Sequence, residues 1–181
     1  LNHPLSTPLS TERVRRNLSG YQIMELDSGI STEQQYWDWA LSSGHYSTAL
    51  ANDDLHYPDR SYCIAVRCNF LHASSGSYGD IKDCLLQGCN YSMRIPDYGS
   101  GDWAIKHRMN SELPYVRDIG LRDSSTVFIV LSERADSIRI SGEGHTTLSL
   151  AESCQSAEYT MRAEDPYVRI TAYFPGGEVI Y

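Results

Sequence analysis

Asp53-Asp54-Leu55-His56 closes a short apolar run, Thr48-Ala49-Leu50-Ala51, and sets a carboxylate and an imidazole two residues apart. On an extended strand, residues at that spacing project to the same side. Asp54 and His56 therefore present one hard oxygen donor and one borderline nitrogen donor together. That pairing suits Zn, Mn or Fe, ions that lower the pKa of a bound water for hydrolysis. The same residues also read as a polar turn with solvated acids and His56 capping a strand. Asp53 fits two roles, an outer acceptor that orients a neighbouring ligand or a turn and cap residue.

The elements that must position these residues are legible from periodicity. Tyr21 to Leu26 alternates as a strand, preceded by a short polar and basic helical segment from Glu12 to Asn17. Ser31 and Gln34 have capping-box spacing, Tyr36, Trp37, Ala40 and Leu41 form one apolar face, and Gly44 is placed to end the helix in the left-handed conformation. A strand over 47–51 then delivers Asp54 and His56 just past its C-terminal end, where chemistry gathers in α/β barrels. Residues 63–70 read as a strand, and 73–79 as a loop. A helix follows from about Asp80 to Gln87, capped by Ser77 or Asp80 and closed by Gly88. Residues 96–103 read as a loop, and 106–112 show no periodicity. From Thr126 the pattern becomes strands alone, over 126–131, 137–141, 146–150, 158–163, 167–174 and 178–181, with a hairpin turn at Pro175-Gly176-Gly177.

His3-Pro4 at the start, a strand ending near Glu25, the helix carrying Trp37 and a strand ending in Asp-Asp-x-His followed by Tyr57 together resemble the PHP (polymerase and histidinol phosphatase) metallohydrolases, more narrowly their CehA/McbA-like branch. Residues 81–88 with Asn90-Tyr91-Ser92 are similar to that family's closing helix, glycine and Tyr-x-Ser turn. The resemblance covers about the first half of the chain. It implies that His3, Asp54 and His56 are metal ligands, with Asp54 and His56 at the catalytic centre, and that the complete site holds two or three divalent ions. Such domains open with a His-x-His strand, which these residues lack, so Leu1 reads as the middle of a domain. The implied fold is α/β, the C-terminal part of a PHP-type distorted (β/α) barrel over residues 1–112, followed by a small antiparallel β module over 113–181.

Length and charge narrow the function. The 181 residues carry a formal charge of −8 and a pI near 5.1, which disfavours nonspecific phosphate-backbone binding and thus a nucleic-acid partner. No apolar run approaches the ~18–20 residues of a membrane span. A cytoplasmic enzyme acting on a small-molecule substrate is the expectation, with secretion open if a leader precedes Leu1; oligomeric state is left open. Cys63, Cys68, Cys84, Cys89 and Cys154 include two Cys-x4-Cys pairs, within loose zinc spacing. A strand places Cys63 and Cys68 on opposite faces, and Cys84 falls on the inward side of a helix, so buried reduced thiols are expected rather than a zinc site.

Arg94, just beyond the closing helix, suits a substrate oxyanion or phosphate chemically, against the alternative of a surface arginine. Glu25 is expected to be solvated at its strand end, and His145 to be a turn residue. Two functions follow: a metal-dependent hydrolase of phosphoesters or of carbamates and related esters, or an inactive PHP-like binding or regulatory protein whose β module recognises a partner or carbohydrate.

Overall fold

The computed structural model describes residues 1, 2, 4, 12–27, 34–57, 64–96 and 103–181. After a short helix α1 (Glu12–Asn17), the chain forms one βαβ unit: β1 (Ile23–Asp27), α2 (Gln34–Ser42) and β2 (Thr48–Ala51). The two strands pair parallel, Ile23 opposite Thr48. Gly44 ends α2 as its position predicts, at φ 78°, with its N–H bonded to the Leu41 carbonyl at 3.0 Å. The expected cap Ser31 lies outside the described residues.

Leu1 adds a third parallel contact. Its ammonium donates to the Ile23 carbonyl at 2.8 Å, and its carbonyl accepts from the Glu25 N–H at 2.9 Å. That is the bonding pattern of a parallel bridge opposite Met24, on the edge of β1 away from β2.

Beyond β2 the pairing changes. β3 (Arg67–Leu71) and β4 (Asn90–Arg94) flank α3 (Tyr78–Gln87), and α4 (Trp103–Asn110) precedes β5 (Val116–Arg122), β6 (Thr126–Gly142), β7 (Thr146–Thr160), β8 (Arg169–Tyr173) and β9 (Val179–Ile180). These seven strands form one sheet in the order β3-β4-β9-β8-β6-β5, with β7 also on β6, and every ladder in it is antiparallel. The expected portion of a (β/α) barrel is therefore corrected: among the described residues parallel pairing stops at β1–β2, and most of the chain is antiparallel sheet. The strand sequences give the reason. Parallel barrel strands are buried on both faces and read as continuous apolar runs, whereas Arg67-Cys68-Asn69-Phe70-Leu71 is half-buried throughout.

β6 organises the sheet. Along one edge it pairs β7; along the other it pairs β5 up to Leu131 and β8 from Ser137 to Ser141. Its register slips between Val130 and Ala135, so Ser132-Glu133-Arg134, which the sequence pattern takes for a turn, is a bulge inside one long strand. The main core lies beneath it, around Met93, Ile129, Leu131, Ile138, Phe174 and Ile180. The turn at 175–177 is confirmed by the Gly177 N–H bonded to the Phe174 carbonyl at 2.9 Å.

Side chains, not ladder bonds, join the βαβ unit to this sheet. Asn69 of β3 accepts from the Ala51 N–H at 3.0 Å and donates to the Ala51 carbonyl at 2.9 Å, imitating a strand partner. Ser92 donates to Asn69 Oδ1 at 2.8 Å, and Asn90 donates to the Ala49 carbonyl at 3.1 Å.

Candidate functional site

β1 and β2 end side by side, so the carboxylates of Glu25, Asp27, Asp53 and Asp54 all arise at one end of the parallel pair. Such carboxyl ends are where loops converge on ligands in α/β folds. Two of these acids are buried and bonded. Glu25, expected in solvent, is 4% exposed and accepts from Asn52 Nδ2 at 3.1 Å. Asp27 is 1% exposed and receives Arg67 Nε at 2.6 Å and the Tyr181 hydroxyl at 3.0 Å. Burial, and then the adjacent Asp27 carboxylate, push the Tyr181 phenol well above its ordinary pKa. The register with β2 shifts between Glu25 and Asp27, which pair with the successive residues Leu50 and Ala51, so plain alternation along β1 does not relate the two acids.

Asp53 is a backbone clamp. Its carboxylate accepts the N–H groups of Ala65 at 2.5 Å, Val66 at 3.0 Å and Arg67 at 2.7 Å. Three amide donors in one carboxylate fix the segment that enters β3, and they hold Ala65 at φ 53°. Burial and the Asp53 charge in turn push the Cys68 thiol up to about 11.

Asp54 and His56 differ from these acids. Asp54 sits at φ 49°, in the left-handed region that a non-glycine residue occupies at a cost. His56 Nδ1 lies 2.6 Å from the Asp54 carbonyl and 3.8 Å from Asp54 Oδ2. A carbonyl only accepts, so Nδ1 carries the proton and Nε2 carries the lone pair. The imidazole is exposed and the Asp54 side chain partly so. An imidazole that donates Nδ1–H to a backbone carbonyl and offers Nε2 outward is the arrangement of a metal-binding histidine.

These two donors fit part of a ligand set for a divalent ion. Among the described residues no group of three His, Cys, Asp or Glu side chains converges on one point. His3 lies outside the described residues. Arg94 is half-buried on β4, opposite Arg67 and Val179, where its charge acts on the Tyr181 phenol. The cysteines depart in part from expectation. Cys84 is buried and bonded to the Cys89 carbonyl, but Cys89 is exposed; Cys63 lies outside the described residues.

A second charged cluster lies where α2 meets the large sheet. Asp38 of α2 is fully buried and receives Arg169 Nε at 2.6 Å and Nη2 at 2.7 Å. Gln34 and Thr171 accept from Arg169 Nη1 at 3.1 and 3.0 Å. His145 Nδ1 bonds Asp38 Oδ2, while Arg139 Nη1 approaches Nε2 at 3.1 Å and Arg139 Nη2 donates to the His145 carbonyl at 2.6 Å. Arg169 Nη2 also lies 2.7 Å from His145 Nδ1, so both ring nitrogens face guanidinium donors, and Nδ1 faces the Asp38 carboxylate as well. His145 is a turn residue as expected, at φ 71° in the Glu143–His145 turn, and also a long-range anchor that its sequence surroundings do not signal. Tyr167 completes the cluster 3.0 Å from Asp38 Oδ1, its phenol pushed up to about 12 mainly by burial.

No protein family matches the chain, and no curated protein matches it. Among solved structures it is similar to a two-domain protein from Bacteroides vulgatus containing a predicted PHP-like metal-dependent phosphoesterase. The identity is 13% and the TM-score 0.38, over 99% of this chain and 60% of that one. The chain thus spans less than two thirds of that protein's length. Among the described residues no helix is long and apolar enough to cross a membrane.

Proposed function

We propose that these residues belong to a metal-dependent hydrolase in which Asp54 and His56 supply two ligands of a divalent-ion site and His3 a third. The observation that carries this reading is the setting of His56: Nδ1 lies 2.6 Å from the Asp54 carbonyl and 3.8 Å from Asp54 Oδ2, a contact that, with the proton on Nδ1, leaves Nε2 as the electron-pair donor. The parallel bridge of Leu1 beside β1 supports the inclusion of His3, because Leu1, β1 and β2 all run in one direction. A bound Zn, Mn or Fe ion supplies a water acidified toward neutrality. Around it, Asp53 fixes the segment entering β3, Glu25 and Asn52 brace the strand ends, and Arg94 is the cation that a phosphoester would meet.

The test is hydrolysis by the natural protein that contains these residues, loaded with Mn or Zn, on an aryl phosphomonoester and an aryl carbamate. Turnover of either, lowered about 100-fold or more in Asp54→Asn and in His56→Ala, supports the reading, since loss of an outer-shell partner alone typically costs about 10- to 100-fold. Turnover preserved in both variants refutes it. Loss of phosphoester but not carbamate turnover in Arg94→Ala would assign the substrate class.

A further inference from the structure

β5 is an end strand of the large sheet: among the described residues β6 pairs it along one side, and no strand pairs it along the other. An edge of that kind presents backbone N–H and C=O groups that no ladder satisfies, and so it templates a further strand. Ile119 and Leu121, which project to one face of β5, are each 56% exposed. Their cross-strand partners in β6 are Ile129 and Val127, and Ile129 belongs to the main core. The apolar face of the sheet therefore runs out to the β5 edge and ends there in solvent.

The other face of β5 carries Asp118, Gly120 and Arg122, with both charged residues exposed. Arg122 lies over the Phe128 ring, 5.0 Å from its centroid, and its Nη1 donates to Glu158 at 3.1 Å. Both partners of that ion pair are more than half exposed, so it holds Arg122 weakly and the side chain can turn to the edge. The order of these residues makes the edge complementary to itself. A second β5 running antiparallel about a two-fold axis keeps the two apolar faces together when the axis passes through a residue. Centred on Asp118, two carboxylates meet; centred on Ile119, Asp118 falls opposite Gly120 and Arg122 opposite Val116; centred on Leu121, Ile119 falls opposite Asp123. Centred on Gly120, Asp118 faces Arg122 of the second copy and Ile119 faces Leu121 of the second copy, and symmetry repeats each pair. Opposite-charge and apolar cross-strand pairs stabilise a sheet, and like charges directly opposed destabilise it.

We propose that the protein forms a two-fold homodimer in which β5 pairs antiparallel with β5 of a second copy, centred on Gly120. Burial of Ile119 and Leu121 supplies affinity, and the charges set the register. An isologous contact closes at two chains. The dimer uses no rim residue, so it stands or falls apart from the hydrolase reading. The experiment is sedimentation equilibrium of the natural protein that contains these residues, and of its Asp118→Arg and Arg122→Asp variants alone and mixed one to one. The expected result is a concentration-dependent dimer whose dissociation constant rises about ten-fold or more in each variant alone, because like charges then oppose at both ends of the contact. Mixing the two variants should restore dimers of one chain of each, since every Arg then faces an Asp. That recovery also shows that both variants are folded. A protein that stays monomeric up to millimolar concentration overturns the proposal. Undiminished dimerisation of both variants, or a mixture that associates no better than its components, overturns it as well.

Discussion

The Asp54–His56 rim and the Asp38–Arg169 junction use the same residue types to opposite ends. At the junction Asp38 is fully buried, Arg169 engages Asp38, Gln34 and Thr171, and its contacts with Asp38 and Gln34 span more than a hundred residues of sequence. Charges so enclosed hold elements in place, here α2 against the turn at 143–145 and β8. At the rim, Asp54 occupies an unfavourable backbone region and His56 is largely solvated. Its Nδ1 is bonded to its near neighbour Asp54, and its ring lies 6.5 Å from that of Tyr57. The junction's charges are buried and paired across elements, whereas the rim's carboxylate and imidazole are more exposed.

The largest effect expected on stability comes from breaking the junction. Asp38→Ala leaves the Arg169 guanidinium buried without its carboxylate, a loss of about 3–5 kcal/mol, measurable by urea denaturation. Asp53→Ala comes next, at roughly 1–3 kcal/mol, because three amides lose their acceptor. Hydrogen exchange should quicken at Ala65, Val66 and Arg67 in that variant while the β6–β7 ladder stays protected. Asp54→Asn and His56→Ala should each change stability by less than about 0.5 kcal/mol. A cost at the rim equal to that of Asp38→Ala would erase the distinction between the two regions.

A smaller effect is set by pH. The Cys68 thiol is raised from 9.0 to about 11, by burial first and by Asp53 second. A raised folded-state pKa means that the native protein holds this proton more tightly than the unfolded chain. The corresponding stabilisation is therefore complete below pH 9.0 and is lost as pH rises toward about 11. Cys68→Ala should flatten that limb of the stability profile. At pH 8 exposed Cys89 should react with a maleimide well before Cys68 does.

The parts of this arrangement that rest on local chemistry were legible in the sequence. The α2 terminus at Gly44, the Ser77 cap and Gly88 close of α3, and the turn at 175–177 follow from residues within a few positions of one another. Asp54 and His56 also meet over a short range, though in a left-handed turn beyond β2 rather than on the extended strand that their spacing suggests. What escaped depends on distance. The roles of Arg169 and His145 exist only once β8 and the turn at 143–145 meet α2, and Glu25 is buried only because Asn52 and a second strand close over it. The resemblance to a (β/α) barrel family implies continued parallel winding, while the half-buried β3 and the bulge at 132–134, polar enough to pass for a turn, belong to an antiparallel sheet.

The most direct test of the division between rim and junction is a Mn²⁺ titration followed by NMR of the histidine side chains. His56 signals should broaden at the lowest Mn²⁺, Asp54→Asn should abolish this, and His145, bonded to Asp38 and Arg139, should stay sharp. Broadening of His145 with His56 unaffected, or His56 broadening unchanged in Asp54→Asn, would contradict that division.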